Sequence, residues 1–115
     1  MNSPTTLTAE TFDGFIRSHR FVMIHFWAGW NGHDHMISSL LASEIHDKWS
    51  GKVAFATFDI DPPEHHPLCR DLRVLNVPFF AFYRDGKLVR KETGGRTSDQ
   101  FSLHLEELSN ADPPQ

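Results

Sequence analysis

The chain has 115 residues and a formal net charge of −4, with 39% hydrophobic and 23% charged residues. This length suits one domain with a single core, and the acidic balance gives no reason to expect nucleic acid, whose binding proteins carry basic surfaces. No apolar run approaches the roughly 18 residues of a membrane span. We therefore expect one domain over 1–115, with a core at about 6–109 and flexible ends at 1–5 and 110–115.

The first half of the chain alternates between helical and extended patterns. Thr8 is placed as an N-cap, which predicts a helix from there to about His19. The apolar run 21–28 predicts a central strand that is covered on both faces. Apolar residues then recur every four positions over 32–49, which predicts one long amphipathic helix.

The second half begins with another apolar run, over 52–60, which predicts a second central strand. Prolines interrupt the chain after it, and a short helical turn is expected around 68–72. The extended segments 79–83 and 87–91 flank Asp85-Gly86, a tight-turn dipeptide, so they predict a β-hairpin.

The last predicted element is a helix that starts from the capping box Thr97-Ser98-Asp99-Gln100 and ends near Leu108. The order along the chain is then helix, strand, helix, strand, short helix, hairpin, helix. Strands that alternate with helices predict an α/β fold with a parallel crossover, and the hairpin adds antiparallel strands at its end.

Short motifs also occur in a specific order and spacing. They are Leu7-Thr8 before Phe12, Phe26-Trp27-Ala28 running into Trp30-x-Gly32, Gly51-Lys52-Val53, Asp59-Ile60-Asp61, Val77-Pro78, Asp85-Gly86-Lys87 and Gly94. Together they make the chain resemble the thioredoxin family over about residues 6–109. The resemblance implies a thioredoxin-like α/β fold, in which helices flank both faces of a central mixed sheet of four to five strands.

The resemblance further implies a cis bond between Val77 and Pro78, and beside it a groove in which backbone groups pair with an extended peptide. The residues expected to contact a partner there are Trp30, His33, Val77, Pro78 and Gly94. An exposed tryptophan beside such a loop describes an apolar patch suited to partner binding. The alternative is that Trp30 is a partly buried packing residue.

The chain departs from the family where the family's chemistry lies. The two cysteines of the family fall on Asn31 and Asp34, and the proline between them becomes His33. Thiol–disulfide exchange needs one thiolate to attack and a second to resolve, and neither side chain can do this. The buried acid of the family falls on His25. The proline that kinks the helix falls on Ser39, which predicts a straighter helix.

Asn31, Gly32, His33 and Asp34, with His25 beneath them, thus form a degenerate site with no expected catalytic residue. One interpretation is a helix cap, in which Asn31 caps the helix and Asp34 reaches back as the other half of a box. The other adds a contact between His25 and Asp34, which the resemblance places together. A core histidine satisfied by a carbonyl or by water stays open. A hydrolase is not expected, because the sequence contains no nucleophile elbow.

The chain contains eight histidines, which makes metal binding a further alternative. His33 and His35 stand two apart on a predicted helix, where their side chains point roughly 200° apart and cannot chelate together. His65 and His66 are adjacent, and no H-x-x-x-H or paired C-x-x-C spacing occurs. We therefore expect neither a metal site nor a cofactor.

Cys69 is the only cysteine. Its neighbours Arg70 and the two preceding histidines would favour a reactive thiolate, whereas burial would make it an inert small hydrophobe. We predict a redox-inactive thioredoxin-like protein, a monomer, that binds a peptide or protein partner as a co-chaperone or adaptor. The alternatives are a thiol-dependent enzyme acting through Cys69 and a metal-binding protein. A lone cysteine and the absence of a signal-like pattern in 1–12 favour the cytoplasm.

Overall fold

The computed structural model describes residues 4–94 and 97–109. Its strands are β1 (Thr5–Leu7), β2 (Phe21–Trp27), β3 (Ala54–Asp59), β4 (Phe79–Arg84) and β5 (Lys87–Thr93). Its helices are α1 (Phe12–Ser18), α2 (Gly32–Leu41), α3 (Glu44–Trp49), α4 (His66–Asp71) and α5 (Ser98–Ser109), and a 3₁₀ turn over Pro63–His65 precedes α4. The expected flexible end at 110–115 lies outside the described residues, as do residues 1–3.

The five strands form one sheet in the order β1-β3-β2-β4-β5. β3 is parallel to both β1 and β2, while β4 is antiparallel to β2 and to β5. This confirms the predicted central mixed sheet, and β2 lies at its centre. Because both faces of β2 are covered, its first six residues are all buried, which explains the continuous apolar run in the sequence.

Two hydrophobic clusters fill the two faces of the sheet. Side chains alternate between the faces along a strand, so Met23 of β2 joins the cluster under α2, α3 and α5. Val22, Ile24 and Phe26 join the cluster under α1. The same alternation places His25 on the α2 face of the sheet, in line with Met23. The alternation along β2 therefore places the polar side chain of His25 against the start of α2.

The start of the domain differs from the prediction. Thr5–Leu7 is a strand that pairs with β3 and was not predicted, and its first residue falls in the segment expected to be flexible. α1 begins at Phe12 instead of directly after Thr8. The carbonyl of Thr8 accepts hydrogen bonds from the backbone N–H groups of Thr11 and Phe12, so residues 8–11 form a turn that only then becomes helix.

The prediction of one long, straighter helix over 32–49 is wrong. α2 ends at Leu41 and α3 begins at Glu44. Between them Ser43 has φ −123° and ψ −101°, outside the helical region, and its hydroxyl donates to the carbonyl of Ser39 at 2.7 Å. A serine hydroxyl that takes a backbone carbonyl offers the chain an alternative to the helical ladder. The apolar spacing of four continued across this break and concealed it.

The last part of the chain follows its sequence signals closely. Asp85 and Gly86 both have positive φ, 53° and 80°, which is the tight turn that their identity predicts between β4 and β5. The Thr97 N–H donates to Gln100 Oε1 and the Gln100 N–H donates to Thr97 Oγ1, so the capping box of α5 is confirmed. Of the helices in the described ranges, none combines the length and the apolar character that crossing a bilayer requires.

Candidate functional site

The site lies where β2 leads into α2, at the end of the sheet that also holds the loop before β4. Asn31 has φ −100° and ψ 114°, an extended conformation, and its Oδ1 accepts the backbone N–H of Asp34 at 3.0 Å. This confirms Asn31 as the N-cap of α2. The predicted second half of the box is wrong, because the carboxylate of Asp34 turns inward, where its Oδ2 accepts the N–H of Ala28 at 3.0 Å.

His25 and Asp34 form a buried pair, as predicted. His25 Nε2 lies 2.9 Å from Asp34 Oδ1, and neither side chain has any exposed surface. Both carboxylate oxygens of Asp34 are therefore used, one by the imidazole and one by the backbone of Ala28. Buried charged groups persist when hydrogen bonds satisfy them in this way. The pair occupies the two positions at which the resemblance to the thioredoxin family places a cysteine and a buried acid.

The surroundings of His25 indicate its tautomer. Its ring stacks on Phe80, with centroids 5.2 Å apart, and Nδ1 has no hydrogen-bond partner in the described part of the chain. A carboxylate accepts hydrogen bonds, so Nε2 carries the hydrogen that Asp34 receives. A hydrogen on Nδ1 as well would bury an unpaired N–H, which is costly. The geometry thus places a ring hydrogen on Nε2, and the ring has no exposed surface.

A groove opens on the outer side of the same helix start. It has a volume of about 280 Å³ and is lined by Trp30, Asn31, Ile60, Val74, Leu75, Asn76 and Val77; these residues define the Trp30 groove. Trp30 is 70% exposed and Leu75 is 83% exposed. The indole N–H of Trp30 donates to Asp61 Oδ1 at 3.2 Å, which orients the ring. Trp30 is therefore exposed, and the alternative of a partly buried packing residue is wrong.

The loop before β4 forms one wall of the groove. The Val77–Pro78 peptide bond is cis, and the carbonyl of Val77 accepts a long hydrogen bond, 3.4 Å, from Asn31 Nδ2. The N–H of Val77 makes no hydrogen bond to any residue within 4–94 or 97–109. The carbonyl of Pro78 accepts the N–H of Gly94 at 2.9 Å, so Gly94, with φ 90°, braces this loop from β5.

The residues expected to bind a partner thus hold different positions. Trp30 and Val77 line the groove, whereas Pro78 is buried and Gly94 supports the loop from behind. The backbone of His33 lies in the first turn of α2, and its side chain lies outside the described structure. Sequence reasoning did not assign Ile60, Val74, Leu75 and Asn76 to the groove. The available signal was an apolar pair, Val74-Leu75, one residue before Val77-Pro78.

Cys69 lies in α4 and is half-buried against the cluster under α1. Burial raises the pKa of its thiol. A thiol with a raised pKa carries less thiolate at neutral pH, and the thiolate is the nucleophile. The basic neighbours in sequence do not reverse this effect, so the geometry favours the inert form of Cys69.

The ring nitrogens of the histidines near the site lie within hydrogen-bond distance of backbone carbonyl oxygens. His35 Nε2 lies 2.8 Å from the carbonyl oxygen of Gly29, and His65 Nδ1 lies 2.6 Å from that of Asp59. His66 Nε2 lies 3.2 Å from the carbonyl oxygen of Asp61. Across the described ranges, no group of three or more side chains of the metal-binding types comes close enough together to hold an ion.

Comparison with known proteins agrees with this architecture. The sequence model of the thioredoxin family matches residues 3–107, so the chain belongs to the thioredoxin family. The thioredoxin of Mycolicibacterium smegmatis is 28% identical over 115 residues, covering 96% of this chain and 99% of that protein. The protein disulfide-isomerase of Hordeum vulgare is 26% identical over 103 residues; the match covers 87% of this chain but only 20% of that longer protein.

Among solved structures, mitochondrial thioredoxin 3 of Saccharomyces cerevisiae, in its oxidized form, superimposes with a TM-score of 0.80. It is 24% identical, and the match covers 91% of this chain and 95% of that one. This similarity shows the thioredoxin-like fold. The single cysteine of the present chain, at position 69, leaves it without the cysteine pair on which thiol–disulfide exchange depends.

Proposed function

We propose that this protein is a redox-inactive member of its family that binds an extended segment of a partner protein in the Trp30 groove, as a co-chaperone or adaptor. It acts as a monomer, without a cofactor. A location in the reducing cytoplasm, suggested by the lone cysteine, belongs to the same proposal.

The residues at the two cysteine positions support the proposed absence of exchange chemistry. Asn31 caps α2, and Asp34 is buried with both oxygens in use. Neither side chain can attack a disulfide or resolve a mixed one. Cys69 lies on another helix, and burial raises the pKa of its thiol. One protonated thiol cannot complete a dithiol cycle.

The observation that carries the binding proposal is the exposed apolar surface of the Trp30 groove beside Val77. Two large apolar side chains, Trp30 and Leu75, are 70% and 83% exposed and line the same concave surface. Partly exposed aromatic side chains beside a cleft are typical of partner-binding positions. The N–H of Val77, which no described residue accepts, supplies a donor for the backbone of an extended segment.

The test has a redox arm and a binding arm. In the redox arm, dithiothreitol-driven insulin reduction should stay at background, and turnover like that of a thioredoxin would refute the proposal. In the binding arm, the protein is used to select extended peptides from a displayed library, and the selected peptides are titrated against variants.

Trp30→Ala and Leu75→Ala should each weaken the selected peptides tenfold or more, which is the order expected for central residues of a binding site. Leu103→Ala is the matched control for Leu75, because Leu103 is 57% exposed but lies on α5, outside the groove. Equal loss in the control, or no loss in the two groove variants, would show that the groove is not the binding site.

A further inference from the structure

A second hollow continues from the Trp30 groove. Its volume is about 420 Å³, and it shares Ile60, Val74 and Leu75 with the groove. The residues that it adds are Asp61, His66, Cys69, Arg70 and Arg73; together the eight define the arginine hollow. A bound segment longer than the groove would pass over this surface, because the two depressions share one wall.

The arginine hollow holds an excess of positive charge. Arg70 and Arg73 are both exposed, and neither forms an ion pair with a residue in the described part of the chain. Other arginines differ: Arg17 pairs with Asp13, and Arg90 pairs with both Glu92 and Glu107. Two guanidinium groups without a carboxylate partner therefore stand beside the groove.

The remaining lining groups offset only part of this charge, because one acid, Asp61, stands against two arginines. Asp61 is the one acid in the lining, and its Oδ1 already accepts the indole N–H of Trp30. Cys69 is a neutral thiol because burial raises its pKa. The imidazole of His66 contacts the carbonyl oxygen of Asp61. Glu64 and Asp71 are exposed on the adjoining helical turns but do not line the hollow.

The backbone holds both arginines at the same place. The Arg73 N–H donates to the carbonyl of Arg70 at 3.1 Å, and the Val74 N–H donates to that of Cys69 at 2.9 Å. These two hydrogen bonds end α4, and the chain continues directly into Val74 and Leu75, which line the groove. The guanidinium groups thus extend from a hydrogen-bonded turn that also carries the apolar residues of the groove.

We propose that the partner segment is acidic: its apolar side chain occupies the Trp30 groove, and an aspartate or glutamate a few residues away is bound by Arg70 and Arg73. The proposal rests on the function proposed above. Arginine presents several donors in a planar fork that matches a carboxylate, so it recognises this group by geometry as well as by charge. The whole chain carries a net charge of −4, so it repels acidic segments in general. Only an acidic residue that reaches Arg70 and Arg73 is attracted, which makes recognition depend on the position of that residue in the segment.

The probes are fluorescein-labelled twelve-residue peptides with a central Val-Leu-Val. Each peptide carries four glutamates, four glutamines or four lysines, placed either on the N-terminal or on the C-terminal side of Val-Leu-Val. Fluorescence anisotropy at 50 mM and 500 mM NaCl gives the affinities. The glutamate peptide should bind roughly three- to tenfold more tightly than the glutamine peptide in one of the two orientations, and the preference should shrink at high salt.

Variants assign the preference to the two arginines. Arg70→Ala with Arg73→Ala should abolish the preference for glutamate, and Arg70→Glu with Arg73→Glu should reverse it toward lysine. Lys48→Ala with Lys52→Ala changes the net charge by the same amount as the alanine pair. Both lysines lie near the end of the sheet where β3 begins, whereas the groove lies at the opposite end, where the parallel strands β2 and β3 end, so this control should keep the preference.

Peptide binding that depends on Trp30 but shows no preference for glutamate would overturn this inference and leave the proposed function standing. A preference that survives loss of both arginines, or that the lysine control also removes, would overturn it as well. If no peptide binds in a manner that depends on Trp30, the proposed function fails and the inference fails with it.

Discussion

The start of α2 has an inner side and an outer side, and they are built in opposite ways. On the inner side His25 and Asp34 have no exposed surface and both carboxylate oxygens are satisfied within the chain. On the outer side Trp30 and Leu75 are largely exposed, and the N–H of Val77 has no partner in the described ranges.

The two sides therefore differ in what they are expected to contribute to the protein. The side chains of Asn31 and Asp34 make their hydrogen bonds within the chain, so we expect them to contribute to stability. The outer side exposes large apolar side chains that bury little surface, so we expect it to contribute little to stability, and it is the surface proposed to bind a partner. Substitutions on the inner side should therefore change the free energy of unfolding, and those on the outer side should change binding.

The largest expected effect is that of Asp34→Ala. It leaves the His25 Nε2 hydrogen and the Ala28 N–H buried without an acceptor, which should lower the free energy of unfolding by about 3–5 kcal/mol. Urea unfolding followed by circular dichroism measures the change. Asp34→Asn keeps an acceptor for Ala28 and should cost less. A loss below about 1 kcal/mol for the alanine variant would mean that the inner side is not a stabilising pair.

The next effect is that of Asn31→Ala, which removes the cap of α2 and the long bond to the carbonyl of Val77. The free energy of unfolding should fall by about 1 kcal/mol. Asn31→Ser restores a capping oxygen and is the matched control, which should recover most of the loss. If serine is as destabilising as alanine, the cap is not the source of the effect.

Cys69 lies near the outer side but is half-buried, and its reactivity should be correspondingly low. Because burial raises the pKa of its thiol, alkylation by iodoacetamide at pH 7.5 should run several-fold slower in the folded protein than in urea. The folded state binds the proton more tightly, so stability from this group is complete at neutral pH and declines as the pH rises through the alkaline range. Faster alkylation in the folded state would instead support the alternative of a reactive thiol.

The smallest expected effect is that of the groove variants on stability. Trp30→Ala and Leu75→Ala truncate side chains that bury little surface, so the free energy of unfolding should change by no more than about 0.5 kcal/mol. The same urea titration measures it. A loss as large as that of Asp34→Ala would erase the contrast between the two sides, because the outer residues would then be part of the core.

Local signals in the sequence were sufficient for much of the fold and for part of the site. The cap at Asn31, the turn at Asp85-Gly86 and the box at Thr97 each depend on a few adjacent residues, and each is found in the structure. The contact between His25 and Asp34 came from two inferences: the apolar run placed His25 on a central strand, and the family resemblance placed Asp34 at the start of the overlying helix.

Other features were not readable from local patterns. β1 is three residues long and is a strand only because β3 lies beside it, and the break at Ser43 lies within an uninterrupted apolar period. The inward turn of Asp34 toward the Ala28 N–H depends on where β2 ends relative to α2. The arginine hollow joins the end of α4 to the residues that follow β3, segments that the chain order separates.

The sequence alone thus determined the elements whose hydrogen bonds close within a few residues, together with the absence of a thiol pair, which is a matter of composition. Only the tertiary structure decided which polar groups are sealed and which surfaces stay open. Burial and the pairing of distant charges depend on which elements pack together, and no local sequence pattern specifies this packing. Two arginines on a helix end are an ordinary sequence feature, and they become a candidate recognition site only because the fold places them against the Trp30 groove.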